Sequence, residues 1–193
     1  PEDDTPEDDT PEDKGELSKK EVSVLFTCFK KYCLKRMKIY KYKNKKNRMP
    51  NFPEDISENI VRYFIITNEQ IKCKWDTKSG DLIKILDDSV KKIEVKCFSS
   101  TGPTSFGPTE YWDEIYFLDA RDFLKNRVKI YKITLSSMNE KFQSLKVSKD
   151  ELYKDHCKQK RRPRISFKSI NEQLGSDECF KIVFDDHVDK ILD

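Results

Sequence analysis

The stretch Ser79–Cys97, SGDLIKILDDSVKKIEVKC, constrains the fold more than any other part of the chain. Ile93, Val95 and Cys97 alternate with Glu94 and Lys96, and successive side chains of a strand leave opposite faces of its pleat. Glu94 and Lys96 therefore share one face and Val95 takes the other. Asp81 stands thirteen residues before Glu94, on a turn beside Gly80, which is free to take positive φ. A hairpin of this length sets the Asp81 carboxylate at the tip of one strand, next to Glu94 and Lys96 on the following one. Two carboxylates suit a hard divalent cation such as Mg²⁺. A lysine beside them can orient a water and offset negative charge near a scissile phosphate. The same residues also make an ordinary hairpin with solvated charges, because D-x(n)-E-x-K is a short and common pattern.

Charge bears on that choice. The net charge of +3 hides an asymmetry: residues 1–13 carry eight acids and no base, which leaves 27 acids against 38 bases elsewhere. The remainder is basic, and basic surfaces favour polyanionic partners such as nucleic acid. Lys- and Asn-rich composition also arises from AT-rich coding. Together with the acidic repeat it points to a viral or eukaryotic coding context. No apolar run approaches the roughly 18–20 residues of a membrane span, so no membrane partner is expected. The acidic start does not resemble a secretory signal, and an initial Pro fits a truncated or processed chain. Six scattered cysteines without a C-x-x-C pair read as reduced, intracellular thiols. His156, Cys157, Cys179 and His187 lack zinc-site spacing.

The chain divides into three. Residues 1–17 contain the pentapeptide repeat PEDDT-PEDDT-PED and are expected to be a disordered acidic tail. Residues 18–48 form a basic helical extension. Ser18 and Glu21 make a capping-box signature, and Val22, Leu25, Phe26, Phe29, Cys33 and Met37 recur on one helical face. Residues 19–48 hold twelve bases and one acid, leaving a basic face for a phosphate backbone, or a nuclear-localisation patch. Residues 49–193 are the main domain.

Within that domain EDISENIVRYFIITN reads as a helix burying Ile56, Ile60, Val61, Phe64 and Ile65, with Glu58 at the edge of the stripe. Strands are expected at Ile71–Trp75, Leu82–Leu86, Val90–Phe98, Glu114–Ala120 and Val128–Leu135, the fourth of them central and buried. Two Gly-Pro pairs mark Ser99–Thr109 as a loop without a regular element. Such a loop just after a site-bearing strand is a place for substrate contacts. Ser99, Ser100, Thr104, Ser105 and Glu110 supply its polar groups. Lys149–Cys157 reads as helix. Lys158–Arg164, KQKRRPR, brings Arg161, Arg162 and Arg164, suited to bidentate contact with phosphates or guanine edges, with Lys168 and Asn171 just beyond. A polar tail follows the apolar run Phe180–Phe184. Trp75 and Trp112 read as packing residues.

A helix with Glu58, the turn SGDL with Asp81, and the strand IEVKC with Glu94 and Lys96 resemble, in that order, the PD-(D/E)XK nuclease core. NFPEDISENIVRYF, IEVKCFSSTGPTSFGPTEYWDEIYFLDA and KRRPRISFKSINEQL resemble small Type II restriction endonucleases over about residues 49–192. The resemblance implies an α/β fold with a mixed central β-sheet flanked by helices. It implies a site-specific, Mg²⁺-dependent endonuclease acting on double-stranded DNA as a homodimer, beside a protecting DNA methyltransferase, and leaving 5′-phosphates. Asp81 and Glu94 would hold the metal, Lys96 would serve the attacking water, and Glu58 would support the metal or its waters. Gly80 stands where that motif often has Pro. A repair, resolvase-like or nicking enzyme on the same core, or a silent DNA-binding module, remains an alternative.

Overall fold

The computed structural model describes residues 16–43, 49–76 and 81–193. The acidic repeat and most of the turn with Gly80 lie outside them. Helix α1 (Lys19–Tyr42) starts at the expected capping box: the Ser18 amide donates to Glu21 at 2.7 Å and the Glu21 amide donates back to the Ser18 hydroxyl. Helix α2 (Glu54–Asn68) follows Pro53 and buries the expected stripe. Arg62, itself buried, ties the two helices together by donating to the Leu17 carbonyl at 2.6 Å and to Asn59.

The strands are β1 (Lys72–Trp75), β2 (Leu82–Ile85), β3 (Val90–Phe98), β4 (Pro103–Ser105), β5 (Glu114–Asp119), β6 (Arg127–Ile133), β7 (Arg164–Ser166) and β8 (Phe180–His187). Six form one sheet in the order β1-β2-β3-β5-β6-β8, in which β3 and β5 run parallel and every other pair antiparallel. The fold is thus α/β with a mixed central sheet. All six residues of β5 are buried, as a strand covered on both faces requires.

Helices α1, α2 and the short α6 (Asp189–Leu192) cover one face, meeting Ile93, Val95, Tyr116 and Leu118. The other face is covered by α3 (Glu140–Gln143), α4 (Tyr153–Lys158), α5 (Phe167–Leu174) and the ribbon of β4 with β7. Its core is aromatic: Phe98 stacks on Phe167, and Phe106 meets Trp112, Phe117, Phe142 and Tyr153.

Four expectations need correction. The Gly-Pro stretch does contain a strand, β4; Pro103 is tolerated at its first position, where a missing N–H costs least. The helix expected from Lys149 begins only at Tyr153, because Lys146 and Leu152 pair as an isolated bridge and the Leu152 amide is capped by Asp155 at 2.9 Å. The C-terminus is not a polar tail: Val188, Ile191 and Leu192 are buried against α1 and α2. The apolar face of α1 is narrower than expected, since Leu25 and Met37 are exposed while Val22, Phe26 and Cys33 are buried.

Candidate active site

The site forms where the sheet opens. Strand β2 pairs with β3 only from Ile85↔Val90 to Leu82↔Ile93. Beyond Ile93, β3 pairs with β5 alone, so residues 94–98 have a free flank. An unpaired buried amide there would cost about 1–3 kcal/mol. Asp81, at the mouth of β2, fills the gap: its carboxylate accepts the Val95 N–H at 2.6 Å. The strand is interior in the sheet order, yet locally an edge.

Pleat geometry sends Glu94 and Lys96 to one face, where the Lys96 ammonium pairs with the Glu94 carboxylate. Val95 packs on the α2 side. From that side α2 contributes Glu58, buried to 8 % exposure, with Oε2 lacking any hydrogen-bond partner. Burial, reinforced by Asp81, Glu54 and Glu94, pushes the Glu58 carboxyl up to about 8. Burial and Asp81 push Glu94 up to about 7, and burial also raises Asp81. Burial pulls the Lys96 ammonium down, but Glu94, Asp81 and Glu110 outweigh it and hold the group above its usual value. The site therefore gathers more buried carboxyl groups than its single lysine can pair with, and their raised pKa values reflect that surplus.

These groups line one cleft of about 710 Å³. Glu58, Asp81, Glu94, Lys96, Ser99, Ser100, Thr104, Ser105, Glu110, Arg162 and Arg164 all face it. The ribbon explains how: β4 pairs antiparallel with β7, Ser105↔Arg164 and Thr104↔Ile165, and the Phe106 amide donates to the Pro163 carbonyl at 3.0 Å. The polar loop and the arginine run, read separately in the sequence, meet in one ribbon, with Thr104 and Ser105 on one strand and Arg164 on the other. Glu110 is held by the Gly107 amide at 2.6 Å and stands 3.7 Å from Arg162.

Three expected DNA-contact residues lie outside the cleft lining. Arg161 pairs with Glu151 and Gln159 instead, Lys168 with Glu172, and Asn171 lies on the exposed side of α5. Glu54 and Ser57 line the cleft without having been singled out. The spacing of Glu54, one helical turn before Glu58, was the available signal.

Among the described residues, no three His, Cys, Asp or Glu side chains form a ready-made metal cage. The donors that do converge are the hard carboxylate oxygens of Glu58, Asp81 and Glu94, all three with raised pKa, and Glu58 keeps an orphaned oxygen. That set fits Mg²⁺, which is commonly bound by one or two carboxylates together with substrate phosphate and water. Also among the described residues, no helix is long and apolar enough to cross a membrane.

Comparison with known proteins gives one match. The sequence model of the family described as Bsp6I restriction endonuclease matches residues 17–172, taking in α1, α2, the ribbon and every strand of the central sheet but β8. No curated protein and no solved structure matches. With four-fifths of its length inside that match, the chain belongs to the Bsp6I restriction endonuclease family and is a Type II site-specific endonuclease.

Proposed function

We propose that the cleft is the catalytic site of a PD-(D/E)XK nuclease core and that it hydrolyses double-stranded DNA at a short sequence in a Mg²⁺-dependent reaction. The observation that carries this is the convergence of Asp81, Glu94 and Lys96 on the open flank of β3. Asp81 and Glu94 are the residues that would hold Mg²⁺, with Glu58 supporting the metal or its waters. When bound, the cation supplies positive charge against that building on the scissile phosphate.

The Lys96 ammonium is held charged by its carboxylate neighbours, positions the attacking water and offsets further negative charge. Water oxygen bonds to phosphorus, the bond to O3′ breaks, and the water proton ends on the leaving O3′. The products are a 5′-phosphate and a 3′-hydroxyl, with inversion at phosphorus.

Along the ribbon, Arg162 and Arg164 face the duplex with Ser99, Ser100, Thr104, Ser105 and Glu110. Phosphate contacts hold the register and base-edge contacts choose the sequence. The enzyme works as a homodimer on a palindromic site inside the cell, with a cognate DNA methyltransferase protecting the host genome.

The test is plasmid cleavage in Mg²⁺ by Glu94→Ala and Lys96→Ala. Each should lower the rate by about 100- to 1,000-fold or more while DNA binding persists. Undiminished cleavage by either variant rejects the site. Sequencing the ends made on an unmethylated genome should show one recurrent motif with ligatable 5′-phosphates. Random ends would point instead to a repair-type nuclease.

A further inference from the structure

The last buried residue of α1 is Cys33, yet the helix continues to Tyr42. At 1.5 Å per residue, this unburied portion extends about 14 Å beyond the core. It is an arm rather than a packing element. A helix already nucleated on the core propagates at little cost, so the arm can present its side chains to a partner.

The arm's chemistry identifies that partner. Residues 30–43 hold seven bases and no acid. Lys31, Lys35, Lys38 and Lys41 are exposed and make no ion pair among the described residues. At about 100° per residue these four fall within about 120° of one another, opposite the stripe of Val22, Phe26, Phe29 and Cys33 that packs on the core. The arm begins at the border of the cleft. Phe29 meets Phe52, a cleft-lining residue, at 5.4 Å, and Phe123 at 5.4 Å. Arg121, two residues before Phe123, lies 5.4 Å over Phe98, another cleft-lining residue.

The geometry points to the Lys31–Lys41 face of α1 as a second DNA-binding surface, which holds the phosphate backbone of duplex outside the cleft and carries no sequence information. A like-charged face of a second copy would repel it, whereas a run of phosphates matches a single-sign lysine row. This inference rests on the endonuclease reading only for the identity of the ligand. Binding is measured without cleavage, so failure of the catalytic assignment leaves it testable.

The experiment compares the full chain with a Lys31→Gln/Lys35→Gln/Lys38→Gln/Lys41→Gln variant and with the matching Lys→Arg variant. Binding to a random-sequence duplex is titrated in EDTA at several salt concentrations. The Gln variant should bind at least about tenfold more weakly, with the slope of log affinity on log salt reduced by about 2 to 4. The Arg variant should retain both. Equal affinity and slope in the Gln variant, or loss in the Arg variant, overturns the proposal. So does a drop to a smaller species in sedimentation that accounts for the binding loss, which would make the face an interface between copies.

Discussion

Asp81 accepts the Val95 amide hydrogen at 2.6 Å, taking the place a neighbouring strand would fill on the open flank of β3. The same carboxylate is thus a candidate metal ligand and a structural stand-in for the sheet. The two roles separate by substitution. Asp81→Asn keeps an acceptor oxygen for Val95 and removes the charge, whereas Asp81→Ala removes both. Both variants should lose cleavage. Denaturant melts should show the Ala variant less stable than the Asn variant by about 1–3 kcal/mol, the cost of an unsatisfied buried amide. Equal stability of the two would mean that the hydrogen bond does not hold β3.

The ribbon makes three neighbouring arginines unequal. Arg162 and Arg164 face the cleft, while Arg161 is turned toward Glu151. Arg161→Ala should leave cleavage of plasmid DNA within about twofold, since a surface pair contributes no more than about 1 kcal/mol and touches no substrate. Arg164→Ala should weaken DNA handling by about 1–3 kcal/mol. Mapping the cut sites decides its role: relaxed sequence choice marks a base contact, and a uniform loss across sites with a shallower salt dependence marks a phosphate contact. An Arg161→Ala loss as large as that of Arg164→Ala would contradict the ribbon geometry.

What the sequence disclosed follows from how local each feature is. Helix α2 and strands β3 and β5 carry their period within one segment, so their elements and buried residues could be read directly. Asp81, Glu94 and Lys96 were legible because a single hairpin brings them together. Ribbon β4–β7 was not, because three-residue strands have no period and Ser105 meets Arg164 across 59 residues. Lys84 shows a second limit. In Leu82–Ile85 it holds the position of a solvated charge, but it is 1 % exposed, with its ammonium bonded to Glu69 at 2.6 Å, Glu114 at 2.9 Å and the Tyr116 hydroxyl at 2.5 Å. Only the convergence of α2, β2 and β5 makes such a burial affordable.

That buried network carries a pH prediction. Burial opposes the Glu114 charge, but hydrogen bonds from Lys84 and Lys91 and the charge of Lys132 outweigh it and bring the carboxyl down to about 2. A carboxylate whose folded pKa lies below its unfolded value of 4.5 stabilises the fold fully above that unfolded value. The contribution fades as pH falls from there toward 2. Glu114→Gln should therefore cost about 3–5 kcal/mol at pH 7, because it strands buried lysine charge. The gap between variant and wild type in thermal or urea melts should narrow steadily below about pH 4.5. A gap independent of pH would show that the Glu114 charge is not what holds the network.

Helix α1 provides the remaining test, because the family match and the core both include it while its composition reads as an appendage. Phe26 is buried and meets Phe52 at 6.1 Å, and Phe52 both lines the cleft and leads into α2, which carries Glu58. Phe26→Ala should cost about 3–5 kcal/mol, the usual range for a large-to-small change in a packed core. Leu25, its neighbour in sequence, is exposed and should cost no more than about 0.5 kcal/mol on truncation to Ala. The cavity beside Phe52 should also loosen the start of α2. Cleavage by Phe26→Ala should then fall under conditions where the variant is still folded, because even a small misplacement of a supporting carboxylate is felt in the rate. Urea melts and cleavage rates on the two variants separate the cases. If Phe26→Ala is as mild as Leu25→Ala, α1 is a detachable arm along its whole length. If it is costly and impairs cleavage, the first half of α1 belongs to the structure that positions Glu58.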